Sequence, residues 1–310
     1  MRRDRTVPAL VIAAVVLLAA APLAPQWLVF LLALALAKGL VVLGLVLLMR
    51  TGLVSFGQGL YFGLGAYAAA LLAHRGGIAD AALMIVAGTA CAAVLAAILG
   101  LLLARYREIF FAMLSLAFSM ILYGLLVKSA ALGSTDGLHL QARTLFGIAL
   151  ASGIERRIFL IAGSVCVVAA ALAVHRLLGG HWGRLSTAVR DNELRVAYLG
   201  ASPFRVVYVN YLIAGALAGL GGALVALAVG HVDPDTAYWT TSGEFVFIAI
   251  LGGTQSIAAP FVAAAIFEAL RTVASQYAPN VWQMSLGLGM LVIIMFLPAG
   301  LWSLARRRTA

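Results

Sequence analysis

Long apolar runs separated by short polar stretches set the pattern of this chain. Runs at 27–49, 53–73, 81–104, 109–131, 158–174, 206–229 and 281–301 are each long enough to cross a hydrocarbon layer about 30 Å thick as a helix. A further run, 242–272, is interrupted midway by Leu251-Gly-Gly-Thr-Gln-Ser256 and then by Pro260. Two half-helices meeting at a polar turn make a re-entrant element, whose loose backbone groups are tolerated only against protein or a water-filled path. Near the start, Arg2, Arg3 and Arg5 precede an apolar run ending about position 22. It carries the marks of a signal peptide, but the spans that follow favour an uncleaved first span. The pattern predicts an all-α polytopic membrane protein with about 8–10 transmembrane helices, forming one transmembrane domain over 1–310.

One stretch departs from this pattern. Over 182–205, charged residues crowd between two spans. Read as a helix from Leu185, its apolar residues Leu185, Val189, Val196 and Leu199 fall on one stripe. Arg190–Glu193 and Asp191–Arg195 are neighbours on the other face. Gly200 suits a C′ stop, and Ser202-Pro203 suits an N-cap followed by proline at N1. Such a capped amphipathic helix lies at the aqueous edge, resting on lipid headgroups or docked into another protein.

A second Gly-rich interruption runs from Thr51 to Tyr67, with five glycines and a GxxxG spacing at Gly59 and Gly63. Two interrupted segments, one in each half, point to internal repeats with a path between them.

Composition sharpens the class. Of 310 residues 64% are hydrophobic and 10% charged, against about a quarter charged in soluble domains. The net charge of +10 raises nucleic acid as a partner, but the basic residues sit at the ends of apolar runs. With both termini placed in the cytoplasm, 14 of the 21 basic residues face inward, six outward, and Lys38 is buried. Cys91 and Cys166 lie in apolar segments and form no disulfide or metal framework. The five histidines fall in loops or at span ends and make no metal cluster. No nucleophile elbow, HExxH or G-x-x-x-x-G-K-[ST] pattern is present, so no catalytic residue and no cofactor are expected, and energy must come from partners.

Several blocks resemble one family. Gly183-Arg-Leu-Ser-Thr-Ala-Val-Arg-Asp-Asn-Glu-Leu-Arg-Val-Ala-Tyr-Leu-Gly-Ala201 is similar to the G-R-x-x-x-A-I-R-x-x-E-x-x-A-x-x-x-G coupling segment of branched-chain amino acid permeases of ABC importers. Gly52-Leu-Val-Ser-Phe-Gly-Gln-Gly-Leu-Tyr-Phe-Gly-Leu-Gly-Ala-Tyr67 resembles the family's G-x-x-S-x-G-H-x-x-F-F-G-x-G-A-Y block, with Gln58 in place of histidine. Phe111 to Phe118, Gly133-Ser-Thr-Asp-Gly-Leu138, Ser242 to Pro260 and Phe296-Leu-Pro-Ala-Gly-Leu301 are similar to further blocks, in family order. The loop after 131 and the F-L-P-x-G-L ending resemble the LivM-type of the two permeases that pair in such systems.

The resemblance implies a multi-pass subunit of the bacterial cytoplasmic (inner) membrane. Its implied partners are a second homologous permease, two cytoplasmic ATP-binding subunits that hold the ATP, and a periplasmic or extracellular binding protein delivering leucine, isoleucine or valine. Contact with membrane lipid is expected and nucleic acid is not. Arg184, Arg190, Asp191, Glu193, Arg195, Leu199 and Gly200 are the expected ATPase-coupling residues. Ser55, Gln58, Ser115, Ser119, Thr254, Gln255 and Ser256 are candidates for a translocation path, although intramembrane hydroxyls often only bond a backbone carbonyl. Lys38, at mid-span, needs a partner, with Glu244 and Glu268 the candidates. A simple pair predicts that Lys38→Met is milder than loss of a lone carboxylate partner. Cargo stays open: related permeases carrying urea, short amides or a sugar share these blocks, and an ion-coupled secondary transporter is the alternative of another class.

Overall fold

The computed structural model describes residues 25–78, 80–140, 144–145, 147–149, 155–277, 282–296 and 300–302. The expected first span, the triple-arginine end and both termini lie outside them. The described residues form helices with four two-residue strands. In order the helices are α1 (Gln26–Arg50), α2 (Gln58–His74), α3 (Ala81–Leu103), α4 (Glu108–Lys128), α5 (Glu155–Gly179) and α6 (His181–Asp191). They continue with α7 (Glu193–Tyr198), α8 (Pro203–Val229), α9 (Trp239–Gly252), α10 (Ala259–Tyr277) and α11 (Trp282–Phe296).

Among the described residues, α1, α3, α4, α8 and Arg157–Gly179 of α5 are long and apolar enough to cross a membrane. Their burial separates two roles. The most apolar windows of α1 and α8 are 72% and 61% buried, whereas those of α3 and α4 are 22% buried. So α8 runs through the middle, packed on α1, α2 and α3. The apolar side chains of α3 and α4, such as Val94, Ile98, Phe110 and Ile121, point outward, as lipid-facing helices require.

Small residues make the central packing possible. A methyl group on Gly65 of α2 would overlap the backbone of Gly219 on α8, and one on Gly88 of α3 would overlap the carbonyl of Gly65. Three backbones therefore cross in direct contact, as small residues permit between membrane helices.

Both interrupted segments are real breaks. The second span does not begin at Leu53: residues 53–57 are non-helical and α2 starts only at Gln58. Amide groups freed there find side chains, as Phe56 N donates to Ser115 Oγ (3.2 Å) and Gly59 N to Ser242 Oγ (2.9 Å). The second break gives α9 only 14 residues, ending at Gly252, before the chain turns over 253–258 into α10. The turn lies beside the end of α1, where Arg50 Nε donates to the Thr254 carbonyl (3.0 Å). The hairpin thus reaches the level at which α1 ends. The closing Gly300-Leu301 pair seals it: Leu301 N donates to the Leu251 carbonyl (2.8 Å), and Gly300 packs on Gly252 and Gly253.

At the opposite end of the bundle, β1 (Leu138–His139) pairs with β4 (His231–Val232), and β2 (Thr144–Leu145) with β3 (Ile148–Ala149). Asp80 caps α3 through Oδ1 to Ala82 N and Leu83 N, and its Oδ2 accepts from Thr144 Oγ1 and Gly147 N. One carboxylate thus fastens the β2–β3 hairpin to a helix end.

Candidate functional site

The charged stretch is anchored to the bundle by its small residues. Along α6, Gly183, Ser186 and Val189 are buried, three apart, while Arg184 and Arg190 are exposed. A buried polar chain holds this face to α8. Trp182 Nε1 donates to Asn210 Oδ1 (3.1 Å), Asn210 Nδ2 to Ser186 Oγ (2.9 Å), and Ser186 Oγ to the Trp182 carbonyl (3.0 Å). Asn210 is a residue the sequence reading passed over; its signal was a lone amide within an apolar span.

The single helix expected from Leu185 is two helices. Asn192 adopts an extended conformation (φ −165°) and its side chain caps α7 by accepting from Arg195 N (2.9 Å). The break takes Arg190–Glu193 and Asp191–Arg195 out of helical register. Glu193 pairs instead with Arg107, at the junction of α3 and α4. Val189 and Val196 do face the bundle, but Leu199 lies past the end of α7 and is 81% exposed. With Leu194 and Tyr198 it forms an apolar projection, next to exposed Arg184, Arg190, Asp191 and Arg195. Gly200 follows at φ +84°, the left-handed stop its position predicts, and Ser202 caps α8.

The path candidates divide into two groups. Ser55, Gln58, Ser115 and Ser119 are buried around the start of α2. Their hydroxyls hold backbone: Ser55 Oγ accepts from Gly57 N, and Ser119 Oγ donates to the Ala237 carbonyl. Ser115 Oγ takes Phe56 N and donates to the Ala112 carbonyl. Gln58 differs, since it is fully buried and neither end of its amide meets a hydrogen-bonding partner among the described residues. Thr254, Gln255 and Ser256 instead form the hairpin turn, where Ser256 Oγ accepts from Ala258 N and Gln255 is exposed.

The buried charges come together. Lys38 Nζ lies 2.5 Å from Glu268 Oε1 and 3.2 Å from Glu244 Oε2, and Arg271 Nη1 lies 3.3 Å from the same Glu244 oxygen. One lysine of α1 therefore holds both arms of the α9–α10 hairpin. Above the cluster, away from α6 and α7, opens a cavity of about 500 Å³.

Membrane-length helices, a helical hairpin whose polar turn reaches the end of α1, and a polar segment clamped to one end define a multi-pass membrane protein with the architecture of a transporter. Residues 27–296 match the family model described as "Branched-chain amino acid transport system / permease component", and the chain belongs to that family. It is similar to the "High-affinity branched-chain amino acid transport system permease protein LivM" of Salmonella typhimurium and of Escherichia coli. To each it is 29% identical over 273 residues, 81% of this chain and 64% of the relative. The chain thus matches just under two thirds of the length of these curated relatives. No solved structure matches it.

Proposed function

We propose that this chain is one membrane-spanning subunit of an ABC importer that moves leucine, isoleucine and valine into the cytoplasm by alternating access. Its partners are a second, homologous permease, two cytoplasmic ATPase subunits that bind the ATP, and an external binding protein. It lies in the bacterial cytoplasmic membrane with both termini and the α6–α7 segment inside, and it carries no ATPase site of its own.

The observation that carries this reading is the build of the α6–α7 segment. A helix clamped to the bundle by a buried Trp182–Asn210–Ser186 network ends in a projecting apolar tip of Leu194, Tyr198 and Leu199. A rigid base with an unburied apolar tip suits transmission between two proteins, because a partner shifts an equilibrium only by contacting its states differently. The contacts of α6 lead inward: Gly52 packs against Arg190, and Arg50, two residues before, holds the hairpin turn. The ion-coupled reading needs a carboxylate free to exchange its counter-ion in mid-span, and Glu268 and Glu244 both lie on Lys38.

The test is reconstitution. The chain, its companion permease, the ATPases and the binding protein are assembled in proteoliposomes. Leucine uptake is then measured with ATP and with a non-hydrolysable analogue, and with urea and a pentose as competing cargo. ATP-dependent leucine uptake is expected. Uptake driven by an ion gradient without ATP, or ATP-dependent uptake of urea or pentose in place of leucine, overturns the proposal.

A further inference from the structure

An apolar crevice and an unmet guanidinium lie together at the start of α5, and the importer reading uses neither. The crevice runs between α1, α5 and α8, with Val29, Ala33, Leu160, Val167, Leu224 and Leu227 among its walls. Leu145 of β2 also lines it, so it reaches the end of the bundle at which α5 begins. The only side-chain hydroxyl among its described walls, Ser164 Oγ, already donates to the Leu160 carbonyl (2.6 Å). The free space is narrow, about 30 Å³. Water there would lack its usual ~2–4 polar partners, so the crevice suits hydrocarbon.

Arg157 stands at the head of this crevice. Positions 157, 160, 164 and 167 are spaced by three, four and three, one stripe along α5, and the last three line the crevice. A helical side chain leans back over the turn before it, which carries Arg157 towards the membrane surface. The apolar span of α5 starts at this same residue. An arginine so placed ordinarily snorkels, keeping its head group in water. Here Nε is closed off from solvent and meets no hydrogen-bond acceptor among the described residues. A buried donor on a cation calls for an acceptor, and a guanidinium edge is best matched by a carboxylate or a phosphate.

In a bilayer, the molecule that joins such an anion to methylene chains is a phospholipid. A free phosphate would leave the crevice empty, and a neutral tail would leave Nε unmet. We propose that α1, α5 and α8 form a binding site for one anionic phospholipid, with its phosphate on Arg157 and one acyl chain in the crevice. Such a site needs only a membrane-spanning chain, whatever its cargo or its source of energy.

The test counts phospholipid retained by the purified full chain in detergent, read by native mass spectrometry. Dioleoylphosphatidylglycerol is the probe, with dioleoylphosphatidylcholine, oleate and inorganic phosphate in parallel. One phosphatidylglycerol per chain is expected, undisturbed by inorganic phosphate. Phosphatidylcholine, whose own cation offsets the attraction to arginine, is held less. Arg157→Gln removes a hydrogen bond between charged groups and should weaken retention about tenfold. Gly163→Leu acts on the crevice instead. A Cβ there meets Leu224 at 3.6 Å, an ordinary contact, so the backbone accepts a side chain that fills the space. Retention should be lost in this variant while the unfolding midpoint holds. Arg156→Gln, about 100° round the helix, should change retention little. The proposal is overturned if phosphatidylcholine or oleate is held as well as phosphatidylglycerol, if phosphate displaces the lipid, or if both arginine variants lose it equally. Native-level retention by Gly163→Leu also overturns it. So does a native chain that holds no phospholipid, which would mean that another part of the chain covers the crevice.

Discussion

Lys38 shows how a second ion-pair partner changes an expectation. As one member of a simple pair, it predicts that Lys38→Met is the mild substitution. The structure gives it two carboxylates, so its loss strands the buried Glu268 and leaves Glu244 with Arg271 alone, while Glu268→Gln leaves Lys38 still on Glu244. Stranding a buried charge costs about 3–5 kcal/mol. Lys38→Met is therefore expected to lower the thermal unfolding midpoint of the purified chain more than Glu268→Gln does. Lys38→Met/Glu268→Gln should recover part of the loss; equal midpoints for the two single variants would refute the shared-lysine account. Gln58 makes the opposite case. An unmet buried amide costs about 1–3 kcal/mol, and Gln58 is fully buried with both ends unmet. Gln58→Leu should therefore raise the unfolding midpoint, and a lowered midpoint would mean that the amide is satisfied in the working protein.

At the scale of elements, helices and breaks were largely legible. Apolar length located the spans, and Gly200, Ser202 and Pro203 each do locally what their chemistry predicts. What escaped were one local helix break and the contacts between segments distant in sequence. Nothing near Asn192 announces that its side chain stops one helix and caps the next, because asparagine is tolerated within a helix unless a cap is the better alternative. The pairing of Glu193 with Arg107 joins positions separated by two spans, and local spacing carries no trace of it. Of the candidate site, the charges of Lys38, Glu244 and Glu268 were visible as rarities in apolar runs. The cavity beside them was not, since its wall also draws on α2, α8 and residues 231–236. Asp80 gives this scale its prediction. The Gly147 N–H first of all, then those of Leu83 and Ala82 and the Thr144 hydroxyl, hold its carboxyl below the ordinary value near 3.8, while burial opposes them. A carboxyl depressed in the folded state stabilises above its unfolded value and loses that contribution as pH falls through the folded one. Docking of the β2–β3 hairpin should hold above about pH 4 and loosen below it. Proteolysis at 144–149 should rise on acidification in the native chain and be high at every pH in Asp80→Asn; a pH-independent rate in the native chain would count against the latch.

For the whole molecule, the α6–α7 segment and the charge cluster are connected through the corner where α1 ends, with Gly52 against Arg190 and Arg50 on the hairpin turn. Tyr198→Asp and Leu199→Asp alter only an exposed tip, so insertion and pairing with a second permease should be unaffected. Stimulation of ATP hydrolysis by loaded binding protein should fall about tenfold or more, the loss of a central apolar anchor being worth ~1–2 kcal/mol or above. Unchanged stimulation in both variants would assign the tip to the lipid surface. The glycine crossing has a separate consequence, for the order in which the protein is made. The groove that α8 fills is formed by α1, α2 and α3, yet α8 is complete only when synthesis reaches Val229. At ~5–20 residues per second, the stretch after Leu103 takes on the order of ten seconds to produce. Throughout that interval Gly65 and Gly88, already against each other, border a space that Gly219 and Ala223 of α8 have yet to fill. The first helices must wait in the bilayer without their central helix, and chains released before Val229 are left as unfinished bundles for the cell's proteases to clear.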